Sequence, residues 1–173
     1  MRTVCPTVDG ERLYGCAVTI HLVRHAHAGS RSAWIGDDRD RPLSDKGFAQ
    51  ARLVAERLAP LAPTAIISSP HLRCVQTLEQ LALACETSVV HDTRLQEDSP
   101  LELSLAALED APDGAVLCSH GDVIPDVVNA LIRRGMDMGS APLALRKASM
   151  FVLHRVNGLY THAEYVDPPV VAD

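Results

Sequence analysis

The sequence predicts an α/β domain, a three-layer α/β/α sandwich whose mainly parallel sheet is closed by a C-terminal antiparallel hairpin. From Ala17 onward, short β-prone runs alternate with amphipathic helical stretches, the pattern of strands connected by crossover helices. Near the end, Asn157-Gly158 separates two β-prone runs, the strongest short-range signal for a two-residue hairpin. The length of 173 residues suits one domain, since two halves would each struggle to bury an adequate core.

Residues 1–16 show no period and are expected to form an irregular N-terminal arm. A single domain is expected over 17–166, with 167–173 as a tail containing Pro168-Pro169. Ala17 to Val23 (AVTIHLV) is a continuous apolar run suited to a strand buried on both faces. Ser44 opens a helix with Phe48, Ala51, Val54, Ala55 and Leu58 on its inner face, stopped by Pro60 and Pro63. Ala65 to Ser68 is a second strand. Ser69-Pro70 reads as a cap and first-turn proline for a helix through about Cys85. Ser88 to His91 is a third strand, and Ser99-Pro100-Leu101-Glu102 has the form of a capping box before Leu101, Leu105 and Leu108. Ala115 to Cys118 is a fourth strand, followed by a helix to about Arg134. Met150 to Val156 and Leu159 to Val166 are the arms of the hairpin.

Composition narrows the function. Sixteen Lys and Arg against 22 Asp and Glu give a net charge of −6, so the chain has no general attraction for nucleic acid or an anionic membrane surface. The first twenty residues carry Asp9, Glu11 and Arg12 where a signal peptide needs an apolar core, and a cytoplasmic location is expected. The five cysteines are scattered without a CxxC pair, which argues against a disulfide framework or a thiolate metal site. Cys74 and Cys118 lie close in sequence to the polar residues singled out next, which makes oxidation sensitivity a minor expectation.

In an open α/β sheet, ligands bind beyond the carboxyl ends of the strands. Arg24-His25 follows the first strand, Arg73 lies just after the second, Glu97 and Asp98 follow the third, and His120 follows the fourth. Two guanidinium forks can neutralise and orient a dianionic phosphoryl group. Neutral histidine between them is a plausible nucleophile, and Glu97 or Asp98 is placed to protonate a poor leaving group. With the positive field supplied by arginine, neither a metal nor another cofactor is required. Arg41 is a candidate for the edge of the phosphate site or for pairing with Asp37, Asp38 or Asp40.

Leu22-Val23-Arg24-His25-Ala26, Ser68-Ser69-Pro70-His71-Leu72-Arg73-Cys74-Val75-Gln76-Thr77 and Ser119-His120-Gly121 together resemble the histidine phosphatase superfamily, with its phosphoglycerate mutase-like fold. Asp40-Arg41-Pro42-Leu43-Ser44 followed by Gly47 resembles its short branch, typified by the phosphohistidine phosphatase SixA. The resemblance covers residues 18–166. It implies that His25 becomes phosphorylated, that Arg24, Arg73 and His120 bind the phosphoryl group, and that Glu97 is the acid with Asp98 as its competitor. Ala26 departs from the usual Arg-His-Gly and marks the short branch. The implied substrate is a phosphorylated small molecule or a phosphoprotein. Hydrolysis is favoured over mutase transfer, because the chain has little length for a cover that would shield a phosphoenzyme from water.

Two other functions fit the same residues: a non-catalytic phosphate-binding or phosphoprotein-binding module, and a phosphomutase or phosphotransferase. A rival chemistry would use His21, His25 and His27, which share parity along the first strand, as metal ligands; Arg24 beside them disfavours a cation. His71, His91, His154 and His162 show no partner pattern and read as surface or satisfied residues.

Overall fold

The computed structural model describes residues 18–139 and 145–171; the proposed N-terminal arm lies outside them. Six strands, β1 (Val18–Arg24), β2 (Ile66–Ser68), β3 (Val90–His91), β4 (Val116–Ser119), β5 (Met150–Val156) and β6 (Leu159–Val166), form one sheet in the order β3-β2-β4-β1-β5-β6. The first four are mutually parallel, and β5 and β6 add the antiparallel hairpin. The helices are α1 (Asp45–Leu58), α2 (Leu72–Ala84), α3 (Leu101–Asp110) and α4 (Val123–Arg133).

Side-chain alternation along the strands creates two cores. Ile20, Leu22, Leu117 and Phe151 face a layer built on Leu105 and Leu108 of α3 and Ile124 and Val127 of α4. Val23, Val116, Cys118 and Met150 face the opposite layer, with Ala51 and Val54 of α1 and Leu78 and Leu81 of α2. These are the two outer layers of the expected sandwich. Deleting a large side chain such as Leu117, fully buried between them, is expected to cost about 2–5 kcal/mol.

Helix starts depart from the sequence reading in three places. Ser44 caps α1 as expected, its hydroxyl accepting from the Gly47 N–H at 3.2 Å. Phe48, however, is 43% exposed: the inward stripe runs through Gly47, because a side chain there would collide with the His27 carbonyl, at 2.0 Å from a Cβ. The second helix begins at Leu72 rather than at Pro70, since Ser69 spends its hydroxyl on His120 at 2.8 Å. The Ser99 capping box does not form; Pro100 stands at the start of α3 without a side-chain cap. The third strand shrinks to two residues at the sheet edge.

Register places the site. Arg24 pairs with Ser119 and Ser68 with Cys118, so β1, β4 and β2 end level with one another. They deliver Arg24-His25, Ser119-His120 and Ser68-Ser69 to one rim. The antiparallel β5 starts at the same rim, with Met150 opposite Val23.

Candidate active site

The loop after β1 is fixed by side chains of both neighbouring helices. The Ala26 N–H donates to Thr77 Oγ1 and the His27 N–H to Gln50 Oε1, each at 3.0 Å, while Ser44 binds His27 through Nδ1 at 2.7 Å. Leu43 N–H donates to Gln76 Oε1 at 2.8 Å. Backbone groups that would otherwise be orphaned at a strand end are thereby satisfied, and the loop has little freedom to shift.

His25 lies at the end of this frame, 4% exposed. Its Nδ1–H donates to the Ala26 carbonyl at 2.8 Å, which assigns the neutral ring's lone pair to Nε2. Burial lowers the pKa of His25 to about 3, reinforced by the nearby charges of Arg73, Arg24 and Lys147. The imidazole is therefore neutral throughout the physiological range.

Arg24 crosses the face of Gly121, where a Cβ would stand 2.6 Å from its Nη2, and donates from Nη1 to the Leu145 carbonyl at 2.5 Å. Among the described residues its buried Nε has no hydrogen-bond partner. Arg73 is fully buried at the first turn of α2. It donates to the Asp38 carbonyl at 2.7 Å and pairs with the Glu97 carboxylate at 2.9 Å. His120, also fully buried, places Nδ1 3.4 Å from both Arg73 Nη2 and Glu97 Oε1. The His25 and His120 rings meet edge-on, 5.4 Å between centroids. Burial, then the proximity of His25, Arg73 and His71, pushes the His120 pKa well down.

The structure thus brings Arg24, His25, Arg73, Glu97 and His120 together. Arg41 joins them: its Nη1 donates to the Ala28 carbonyl at 2.6 Å and its Nε to Asp38 at 2.7 Å. Of the three acidic partners considered for Arg41, Asp38 is the one used, whereas Asp37 pairs with Arg39. A pocket of about 370 Å3 opens beside His25, with Arg24, Arg41 and Glu97 in its wall, and Asp98 lines it as well. Asp98 adopts φ +59°, its N–H held by Asp122 at 3.0 Å.

Three contributors escaped the sequence reading, and a fourth, Asp38, entered it only as a partner of Arg41. Arg31 bridges Glu97 and Asp38 across the mouth. Lys147 lines the pocket. His71 is buried, not a surface residue, with Nδ1 2.9 Å from His120 Nε2. Asp38 ties Arg31, Arg41 and Arg73 together, and those guanidinium groups, Arg41 foremost, hold its carboxyl far below the ordinary range. Only Asp38 left a sequence signal, its nearness to Arg41. Among the described residues no group of His, Cys, Asp or Glu is arranged to hold a metal, so His21, His25 and His27 do not converge. Cys74 and Cys118 are fully buried, and burial raises the Cys118 thiol, an environment that makes thiols inert.

Comparison with known proteins accords with this geometry. The sequence profile of the histidine phosphatase superfamily (branch 1) matches residues 20–100, a span containing Arg24, His25, Arg73 and Glu97. Over that span the chain is similar to the histidine phosphatase superfamily. The 8-oxo-(d)GTP phosphatase of Mycolicibacterium smegmatis is 31% identical over 157 residues, 87% of this chain and 48% of that protein. The chain spans about half the length of the curated relatives it matches. Among solved structures, a SixA protein from Agrobacterium tumefaciens, assigned as a phosphohistidine phosphatase, superposes with a TM-score of 0.65 and 25% identity. That match covers 87% of this chain and 98% of the other. The corresponding SixA protein from Nakamurella multipartitia gives 0.65 and 25%, covering 91% and 99%. The fold of the described residues is therefore SixA-like. No helix among these residues is long and apolar enough to cross a membrane.

Proposed function

We propose that this protein hydrolyses a phosphomonoester or a phosphohistidine through a covalent phosphohistidine at His25. The observation that carries the reading is the hydrogen bond from His25 Nδ1 to the Ala26 carbonyl: it leaves Nε2 as a lone-pair donor on a ring that burial keeps neutral.

In the first step Nε2 attacks phosphorus in line, a P–N bond forms, and the bond from phosphorus to the leaving group breaks. Arg24, Arg73 and His120 hold the equatorial oxygens, with Arg41 at the edge, and their preorganised donors stabilise the transition state. An alkoxide leaving group takes a proton from Glu97 or Asp98; the imidazole of a phosphohistidine is a better leaving group and needs less assistance. In the second step water attacks phosphorus, the P–N bond breaks, and the proton of water passes to the carboxylate that gave one up. Inorganic phosphate departs and His25 is restored.

The relatives favour substrates of two kinds, a nucleotide for the 8-oxo-(d)GTP phosphatase and a phosphohistidine protein for the SixA proteins. Phosphate release from p-nitrophenyl phosphate, sugar phosphates, nucleotides and a phosphohistidine protein, measured with EDTA present, separates them. His25→Ala is expected to abolish turnover of every substrate; activity within tenfold of the parent would sink the mechanism. Tight phosphate binding without any turnover would instead identify a binding module.

A further inference from the structure

Lys147 is a cation of the pocket with no place in the phosphoryl clamp. Its turn is fastened to the backbone of the nucleophile. The Arg24 N–H donates to the Ser149 carbonyl at 3.0 Å, and the Ala148 N–H lies 3.2 and 3.3 Å from the carbonyls of Arg24 and His25. Ser149 closes the turn on the Arg146 carbonyl with both its N–H, at 3.0 Å, and its hydroxyl, at 2.6 Å. Ala148 is forced to φ +64° and is fully buried. A non-glycine residue held there is strained, and such strain gathers where a functional group must be aimed. Here the strained turn presents Lys147 to the pocket beside His25.

The charges around Lys147 are cationic. Partial burial, and then the charges of Arg24, Arg41 and Arg73, lower the pKa of its ammonium. Arg31, Arg41 and Arg73, by contrast, each have Asp38 or Glu97 in contact. Among the described residues, every residue lining the pocket apart from His25 and Gly121 is charged. A leaving group in this space is held by charge rather than by apolar contact. Glu97, Asp98 and Asp122 form its acidic part, and Lys147 is the lysine of the lining that can meet an anionic group on the leaving group. The volume of about 370 Å3 exceeds what one tetrahedral phosphoryl group fills.

We propose that Lys147 binds a second phosphate, carried by the leaving group, and so selects substrates that present two phosphates over simple monoesters. This rests on the phosphatase reading above. The second phosphate is either joined to the first as an anhydride or borne on a separate carbon, and the same ammonium serves both.

The test compares kcat/KM for ADP, a hexose bisphosphate and the matching hexose monophosphate in the parent, Lys147→Met and Lys147→Arg. In Lys147→Met the preference for the two-phosphate substrate over the monophosphate is expected to fall about tenfold or more, the equivalent of about 1.4 kcal/mol. Lys147→Arg, which keeps the charge, recovers most of it. Whether the ADP or the bisphosphate preference collapses identifies the anhydride or the separate ester. An unchanged preference overturns the proposal, including the case in which all substrates weaken equally, which would place Lys147 in the clamp for the transferred group. Should the parent hydrolyse none of them, the phosphatase reading is decided by p-nitrophenyl phosphate and the phosphohistidine protein, and calorimetric binding of inorganic pyrophosphate against orthophosphate decides the role of Lys147 alone. Loss of a pyrophosphate preference in Lys147→Met supports it, and a retained preference overturns it. Removing one cation from among three guanidinium groups relieves repulsion, so Lys147→Met is expected to fold.

Discussion

The imidazoles of His71 and His120 meet at right angles, 4.6 Å between centroids, with Nδ1 of the first 2.9 Å from Nε2 of the second. The two rings share one hydrogen, and Ser69 Oγ stands 2.8 Å from the same His120 nitrogen. His71 is thus a positioning residue: it fixes the ring that faces Arg73 and Glu97, and it can share positive charge when a phosphoryl anion draws a proton onto His120. His71→Phe leaves Ser69 Oγ, and Cys74 Sγ at 3.4 Å, as partners of that nitrogen. Loss of one neutral hydrogen bond, about 1 kcal/mol, is expected to reduce kcat about fivefold. Because the proximity of His71 holds the His120 pKa down, the limb set by His120 should move to higher pH, and His71→Asn should restore part of the loss. A pH profile identical to the parent's would show that His71 is only packing.

Gly121 is required by close approach. A Cβ there would stand 2.6–2.9 Å from Arg24 guanidinium atoms, and the long side chain would yield rather than the backbone. Gly121→Ala is expected to lower kcat/KM about 100-fold by misplacing that guanidinium, with a change in unfolding free energy of about 1 kcal/mol or less. Loss of stability in proportion to loss of activity would contradict this account.

Glu97 and Asp98 are held differently. Both oxygens of Glu97 are engaged, by Arg31 and Arg73, whereas Asp98 is anchored through its backbone N–H. Whichever supplies the proton, its amide variant is expected to lose about 100-fold or more on alkyl esters and far less on phosphohistidine. Parallel assays of Glu97→Gln and Asp98→Asn on both substrates identify the acid. Equal losses on ester and phosphohistidine would remove the need for an acid altogether.

Buried neutral histidines also set the response to acid. The pKa of His25 falls from 6.5 to about 3 on folding, and His120 is lowered as well, burial being the main cause for each. Above pH 6.5 both rings are neutral whether the chain is folded or not, and they contribute nothing. Below it the unfolded chain binds protons that the folded chain refuses, so stability falls as pH drops from 6.5 toward 3. At pH 5.5 each histidine costs about 1.4 kcal/mol. Urea midpoints in phosphate-free buffer should therefore show a loss of about 2–3 kcal/mol between pH 7.5 and 5.5. A flat profile would mean that these rings protonate in the folded state.

Much of this arrangement was legible in the chain. The continuous apolar run before Arg24, the Ser44 cap and the Asn157-Gly158 turn are local signals, and β1, α1 and the β5-β6 hairpin follow them. Arg24, His25, Arg73 and His120 were legible because strand ends converge in such sheets. Ser69 was misread since a cap and a tertiary hydrogen bond look alike in sequence, and here His120 won the hydroxyl. Phe48 was misread because the helix stripe alone does not reveal that the His27 carbonyl admits only glycine at the next position inward. Lys147 and His71 reach the site through a turn and a pre-helix residue that carry no periodicity, and only register brings them there.

The welding of the His25 loop to α1 and α2 bears on timing. Gly47 abuts the His27 carbonyl so closely that a single methyl would not fit, and Gln50, Gln76 and Thr77 hold the surrounding amides. The His25 loop is therefore tied to both helices by its own backbone. What must yield to an incoming phosphate is the exposed Arg31 side chain, and exposed rotamers exchange in picoseconds to nanoseconds. Entry to the site is expected to run at the speed of side-chain motion, leaving the making and breaking of the P–N bond to set the pace of each cycle.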